Sequence, residues 1–333
     1  MSEPIRWGIL GPGRIAANVA KDFGHVSDGV IAAVGSRSAQ RAAAFAAEHA
    51  PGARAHGSYR DLLADPAIDA VYVATPHSQH AAQAIAAIRE HKAVLVEKAF
   101  TATLPGARRV VGEARSRDAV VMEAMWTRFQ PAVVRARELI ADGAIGEVRA
   151  VAADLGVSRE FDPNDRLFSL ELGGGTLLDL GVYVVSFAQM VLGEPVGVTA
   201  KGSLLSTGVD AEAGLLVDFG SGATATLQTS FRSPMPGNAR IYGSTGWIEL
   251  PPRFHHPHRV ILHRAGKESI EESLPPTGAG YALEFDEVNR LLRAGRTESE
   301  VMPLRDSLAV MGVLQSAADQ LGVALVEDEH AGL

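Results

Sequence analysis

The chain has 333 residues, 47% of them hydrophobic and 21% charged, which suffices to bury a sizeable core and predicts two domains rather than one. Its formal net charge of -8 argues against a nucleic-acid or anionic-membrane surface, and the absence of cysteine excludes disulfides, thiolate nucleophiles and cysteine-ligated metals. No run reads as long enough to span a membrane, and Met1-Ser-Glu-Pro4 lacks the basic region and apolar core of a signal peptide, so a cytoplasmic address is expected.

Residues 5–10 read as a first strand, which runs into Gly11-Pro-Gly13-Arg14-Ile15-Ala16 and a helical pattern through residue 23. Strand, G-x-G-x-x-A, then helix is the context of a dinucleotide fingerprint. Gly11 and Gly13 let the backbone turn tightly, and a pyrophosphate sits over Arg14 and Ile15 at the positive helix end. A second strand, 30–34, ends in Gly35-Ser36-Arg37-Ser38-Ala-Gln-Arg41. An NAD enzyme carries an acid here, about 20 residues past the fingerprint, for the ribose 2′-hydroxyl. Ser36, Arg37 and Arg41 stand there instead, and guanidinium forks with hydroxyl donors favour the 2′-phosphate of NADP over NAD. Ser38 equally reads as the N-cap of a helix over 39–50, and both readings can hold together.

Ser58-Tyr-Arg-Asp61 predicts a capped short helix ending at Asp65-Pro66. A buried strand at 70–74 ends in Thr75-Pro76-His77-Ser-Gln-His80, and a helix over 81–90 follows. His77 and His80 have no third ligand nearby, so His80 is read with Thr75 and Pro76 as cofactor contacts and no metal is expected. The apolar run Val94-Leu-Val-Glu97-Lys98-Ala99-Phe100 reads as a buried parallel strand opening into the crevice where α/β sheets bind ligands. Lysine occurs only at positions 21, 92, 98, 201 and 267, so Lys98 marks a place that arginine does not fill. A helix over 105–117 and a strand over 120–123 complete a doubly wound sheet, and a helix over 131–142 leads away from it.

Beyond Glu147 the hydrophobic period changes. Residues 223–231 alternate apolar against Thr, Gln and Ser, which predicts an antiparallel strand with one covered face. Further strands are expected over 147–157, 196–205, 214–219, 240–243, 247–250, 259–263 and 269–274, then helices over 281–294 and 304–321. The fold class is therefore α/β: a Rossmann domain over 1–128, then a substrate-binding and oligomerisation α+β domain over 129–333 with a large, mostly antiparallel open sheet. The open face of that sheet predicts a homodimer or higher homo-oligomer.

Within this second half, Gly173-Gly-Gly-Thr-Leu-Leu-Asp179-Leu-Gly-Val-Tyr183 opens a helix running to about residue 192. The three glycines permit close approach to a ligand or to the other domain. Asp179 and Tyr183, four apart, share one helix face. A tyrosine acting as general base needs a neighbouring ammonium to favour its phenolate, and Lys98 is the candidate. The same residues fit a buried tyrosine and an acid matching the helix dipole, and from spacing alone the two readings stand level.

The chain resembles the Gfo/Idh/MocA oxidoreductases over nearly its whole length. The residues that carry the likeness are Trp7 through Ala16, Ser36-Arg37, Ala74 through His77, Glu97-Lys98, Met122-Glu-Ala-Met-Trp126-Thr-Arg128-Phe129, and Gly173 through Tyr183. The likeness is strongest to the dihydrodiol dehydrogenase and NADP-dependent D-xylose dehydrogenase branch. The resemblance implies that Lys98 and Tyr183 form the acid/base pair, that Asp179 supports them, and that Trp126 and Arg128 belong to the cofactor and substrate wall. It implies hydride transfer between NADP and a secondary alcohol or hemiacetal carbon of a sugar or cyclic polyol. Two departures matter. Ala99 replaces the family proline and is expected to loosen the Lys98 turn. Phe254-His255-His256-Pro257 replaces an aromatic segment, so His255 is expected to favour polar substrates. A cluster of His255, His256, His258 and His263 is read as a loop, not a metal site. Two other functions remain open for this fold: a non-catalytic NADP-binding sensor, and a glycoside hydrolase that retains its NAD.

Overall fold

The computed structural model describes residues 3–333. The chain begins by alternating strands and helices: β1 (Ile5–Leu10), α1 (Arg14–Asp22), β2 (Gly29–Gly35), α2 (Ala39–His49), β3 (Arg54–His56), α3 (Tyr59–Leu63), β4 (Ala70–Val73), α4 (His80–Arg89), β5 (Ala93–Glu97), α5 (Leu104–Ser116) and β6 (Val121–Ala124). Next come α6 (Pro131–Ala141), β7 (Val148–Gly156) and α7 (Val182–Leu192). The strands β8 (Pro195–Leu204), β9 (Asp210–Phe219), β10 (Thr224–Ser230), β11 (Ala239–Gly243), β12 (Gly246–Leu250), β13 (Arg259–Arg264) and β14 (Ile270–Ser273) follow. The helices α8 (Ala282–Ala294) and α9 (Leu304–Leu321) close the chain.

Among the described residues the strands form two sheets. The first is parallel in the order β3-β2-β1-β4-β5-β6. Its central strands are sealed on both faces, as parallel sheets require: Leu10, Val71, Leu95 and Val96 are fully buried. The second sheet has the order β14-β13-β12-β11-β7-β10-β9-β8 and is antiparallel except where β10 runs parallel to β7. In β9, buried Ala213, Leu215, Val217 and Phe219 alternate with exposed Gly214, Leu216 and Asp218, the mark of a sheet covered on one face.

A single cut at residue 128 does not describe how the chain divides. One compact unit takes the chain through Met125 and also recovers Thr277–Leu304 and Glu327–Leu333; the other comprises Trp126–Pro276 and Arg305–Val326. The reason is packing that sequence order conceals. On α8, the Phe285 ring meets Trp7 at 4.8 Å, Phe23 at 5.1 Å and Tyr72 at 5.2 Å, and Asn289 accepts the Trp7 indole N–H at 3.1 Å. Asp22, at the end of α1, accepts the backbone N–H groups of Ala279 and Tyr281 at 2.7 and 2.8 Å. The first unit therefore borrows its last helix from beyond the second sheet.

Contrary to expectation, one segment, Leu170–Leu192, is long and apolar enough to pass for a membrane span. In the fold 83% of its most apolar window is buried, because α7 is a core helix packed beneath β7 and β10. Val182, Val184 and Phe187 along it are buried.

Candidate active site

The glycine turn after β1 has the shape of a phosphate cradle. Gly11 has φ +88, and a Cβ there would lie 2.7 Å from Thr75 Cγ2 and 3.0 Å from the Ala74 carbonyl oxygen, so only glycine fits. Gly13 caps α1 in an extended conformation, with no atom nearer than 4.0 Å to the position of its absent Cβ. Arg14 and Ile15 begin the helix, whose first N–H groups face this gap with no acidic side chain to occupy them.

After β2, Ser38 does cap α2, its hydroxyl accepting the Arg41 N–H at 3.3 Å, while Ser36 Oγ accepts the Ser38 N–H at 3.3 Å. Arg37 and Arg41 nevertheless converge on one place. Burial pushes the Tyr59 phenol above its ordinary value, and both guanidinium charges oppose that shift, with Arg37 also hydrogen-bonded to it. A capped helix start flanked by two arginines and a phenol suits a dianionic phosphate.

The turn carrying Lys98 is not loosened by Ala99. Glu97 Oε2 accepts the Lys98 N–H at 3.1 Å, Glu123 Oε1 accepts the Phe100 N–H at 3.0 Å, and the Ala99 carbonyl lies 2.9 Å from His80 Nδ1. The other His80 nitrogen lies 2.9 Å from the Thr75 carbonyl, so this buried imidazole ties the turn after β5 to the turn after β4. Glu97 is held in place by Tyr72, whose hydroxyl donates to Oε1 at 2.5 Å. Burial raises the Tyr72 phenol well above its usual range, which keeps it a donor. Glu284 on α8 completes this acidic cluster. Burial first, then the charges of Glu97 and Glu123, push its carboxyl well above the carboxylate range, which favours its protonated form. Side chains thus supply the rigidity that a proline ring does not.

In the second unit, aromatic side chains gather around Tyr183. The Trp126 indole N–H donates to the Tyr183 hydroxyl oxygen at 3.1 Å, and both rings are nine-tenths buried. His255 stands beside the phenol with ring centroids 5.0 Å apart, and His256 lies 5.4 Å from the Trp126 ring. Thr127 Oγ1 donates to the His255 carbonyl at 2.7 Å and so fixes the loop that carries both imidazoles. Burial lowers the His256 pKa below its ordinary value, which favours the neutral ring.

Asp179 sits in a turn wound as π-helix, Leu177–Gly181, immediately before α7, an irregularity common where side chains serve a site. It meets Arg166 at 3.5 Å. Two of the glycines ahead of it are packed closely against their own unit. A Cβ on Gly174 would lie 2.6 Å from the Leu167 carbonyl, and one on Gly175, at φ +103, would run into Asp210 Oδ1. Asp210 in turn accepts the Thr176 hydroxyl at 2.8 Å and the Leu177 N–H at 2.7 Å, anchoring the start of this segment.

The expected constellation is thus divided between units: Lys98 lies in the first, and Trp126, Arg128, Asp179, Tyr183 and His255 in the second. Arg128 is a buried strut, with its guanidinium on Asp306 Oδ2 at 2.6 Å, Ser186 Oγ at 3.1 Å and Gln189 Oε1 at 2.5 Å. Among the described residues, no three His, Asp or Glu side chains converge as a metal-binding set. Sequence reasoning missed Arg166, Asp210 and His256 as members of the site. Only His256 left a signal, as the second imidazole of a displaced aromatic segment.

Comparison with known proteins gives these features a context. Residues 5–125 match the family described as oxidoreductase family, NAD-binding Rossmann fold, and residues 133–249 match the GFO/IDH/MocA C-terminal domain. The chain is 34% identical to trans-1,2-dihydrobenzene-1,2-diol dehydrogenase of Xenopus tropicalis, over 96% of this chain and 98% of that one. It is 32% identical to D-xylose 1-dehydrogenase (NADP(+)) of Hypocrea jecorina, over 97% and 93% respectively. Among solved structures it resembles KijD10, a 3-ketoreductase from Actinomadura kijaniata in complex with NADP and TDP-benzene. The TM-score is 0.83 at 26% identity, covering 97% of this chain and 99% of that one.

Proposed function

This chain belongs to the GFO/IDH/MocA family of oxidoreductases, and we propose that within it the protein is an NADP-dependent dehydrogenase of sugar-like or cyclic polyol substrates. The observation that carries this reading is the Trp126–Tyr183 hydrogen bond. An indole nitrogen only donates, so the Tyr183 oxygen accepts from it and the phenolic hydrogen is directed to some other acceptor. That is the arrangement of a phenol that exchanges its proton with a substrate oxygen.

The residues present fit the cofactor. Gly11, Gly13, Arg14 and Ile15 would hold the pyrophosphate at the start of α1, and Ser36, Arg37 and Arg41 the 2′-phosphate, favouring NADP over NAD. Thr75, Pro76, His80 and Glu97 would shape the wall of that site around Lys98. When bound, the cofactor supplies hydride exchange with the substrate carbon. Tyr183 takes the proton of the substrate hydroxyl during oxidation and returns it during reduction, while the Lys98 ammonium favours the phenolate. Asp179 orients the substrate hydroxyl. Trp126 gives the substrate a flat wall, and His255 with His256 gives it hydrogen-bonding edges, which suits an aldose better than an aromatic ring. Beside Trp126, Arg128 serves from behind the wall through its grip on Asp306 and Ser186.

The test is reduced-nicotinamide absorbance with a panel of aldoses and cyclic polyols, using NADP and then NAD. Reduction of NADP by at least one aldose is expected, with NAD slower. Glycoside cleavage without net reduction would instead indicate a hydrolase, and no turnover with any substrate would indicate a sensor. The protein is placed in the cytoplasm on this reading, as a homodimer paired through the uncovered face of the second sheet. Support for pairing comes from Leu216, Tyr242 and Trp247, which stand 48%, 37% and 38% exposed on that face. Sedimentation velocity checks it, and a monomer at micromolar concentration removes the dimer from the proposal.

A further inference from the structure

The last residues of the described chain lie across the nucleotide-binding unit as a strap. Glu327 Oε1 accepts the N–H and hydroxyl of Thr103, at the start of α5, at 2.8 and 3.0 Å. The Asp328 N–H donates to the Ser78 carbonyl at 2.8 Å, just ahead of α4, and Glu329 pairs with Arg109 at 2.6 Å. Beyond these anchors the strap turns inward. Ala331 is fully buried, and its carbonyl accepts Gln83 Nε2 at 3.0 Å. Gln83 Oε1 accepts the Thr75 hydroxyl at 2.9 Å, and Thr75 is the side chain that closes on Gly11.

The next residue, Gly332, sits at φ +70 against the stem of Arg37. A Cβ built there would lie 2.7 Å from Arg37 Cδ, 3.2 Å from Cγ and 3.6 Å from Tyr59 Cε2. Arg37 is exposed and long, so a guanidinium that must meet a phosphate bidentately needs its stem held. The strap supplies that seat, with the Tyr59 ring close by.

We propose that the strap Glu327–Leu333 is a specificity-determining part of the nucleotide site: Gly332 seats the Arg37 stem and so aims its guanidinium at the 2′-phosphate. This rests on the reading of Arg37 as a 2′-phosphate ligand. Its residues are positioning residues, because they act on the nucleotide site through the Arg37 stem. Any side chain at Gly332 displaces Arg37, whereas the anchors at Glu327, Asp328 and Glu329 keep the strap on the unit.

The test is equilibrium binding of NADP and of NAD, by quenching of intrinsic fluorescence, to the full chain and to G332V, R37A and the double variant. For G332V the NADP Kd is expected to rise on the order of tenfold while the NAD Kd stays within about twofold. R37A is expected to abolish the preference for NADP, and adding G332V to it should change nothing further. If R37A loses the preference while G332V keeps it, or G332V weakens both cofactors equally, the strap proposal falls and the phosphate pocket stands. If R37A leaves the preference intact, the phosphate pocket falls and the proposal falls with it. Should G332V fail to fold, deletion of residues 331–333 is read by the same criteria.

Discussion

Replacing Tyr183 with Phe is expected to lower kcat on the order of a hundredfold to ten-thousandfold, the range associated with loss of a positioned proton donor or acceptor. NADP affinity should stay within about twofold, because the residues proposed to grip its phosphates lie in the turns after β1 and β2 and Tyr183 is not among them. The variant also strips the Trp126 N–H of its acceptor in a nine-tenths buried place. That costs about 1–3 kcal/mol of stability and appears as a lower Tm. The two effects separate cleanly: the stability loss is shared by any variant that breaks the Trp126 bond, whereas the turnover loss belongs to the phenol. Steady-state kinetics with a cofactor titration decide the matter. Equal losses of turnover and NADP affinity would mean that Tyr183 holds the site together and moves no proton.

Lys98→Ala is expected to lower kcat/KM on the order of a hundredfold or more, by removing the charge that favours the phenolate. Lys98→Arg should recover only a minor part, since a planar guanidinium does not take the place of a compact ammonium. The backbone gives this experiment its force. Lys98 N, the Ala99 carbonyl and Phe100 N are bonded by Glu97, His80 and Glu123, so the turn keeps its shape when the side chain is cut. Circular dichroism and Tm should therefore match the parent. If Lys98→Arg runs at the parental rate, any cation serves at this point, and the tuning role is lost.

How much of this was legible beforehand depended on whether the signal was local. β1 and β5 declare themselves as apolar runs because both faces of a parallel sheet are covered, and Ser38 and Ser58 announce their helices through caps that need only three residues. β3, Arg54–His56, carries no such run: it is a three-residue edge strand, half solvated, and its pairing to β2 is set by its neighbours. The return of α8 to the first unit was invisible for a related reason. An amphipathic helix advertises that it has an apolar face, but not which sheet that face will cover. At the site, residue types and the Asp179–Tyr183 spacing were readable. Trp126 lies 57 residues from Tyr183, and Asp210 33 residues from Leu177, and no periodicity spans such intervals. The packing of Gly174 and Gly175 against the Leu167 carbonyl and Asp210 was likewise out of reach, since those neighbours lie 7 and 35 residues away in the chain.

The recovery of Thr277–Leu304 and Glu327–Leu333 by the first unit also bears on the order in which the protein can be made. A nascent chain released from the ribosome as far as Met125 already holds all six strands of the parallel sheet, yet Trp7, Phe23 and Tyr72 still await Phe285. That greasy flank stays open to chaperones while some 150 further residues are translated, about 8–30 seconds at ordinary elongation rates. Maturation of the nucleotide-binding unit therefore waits on residues far downstream of its sheet, and a gene fragment stopped at Met125 is expected to yield an aggregating half rather than a minimal cofactor-binding module.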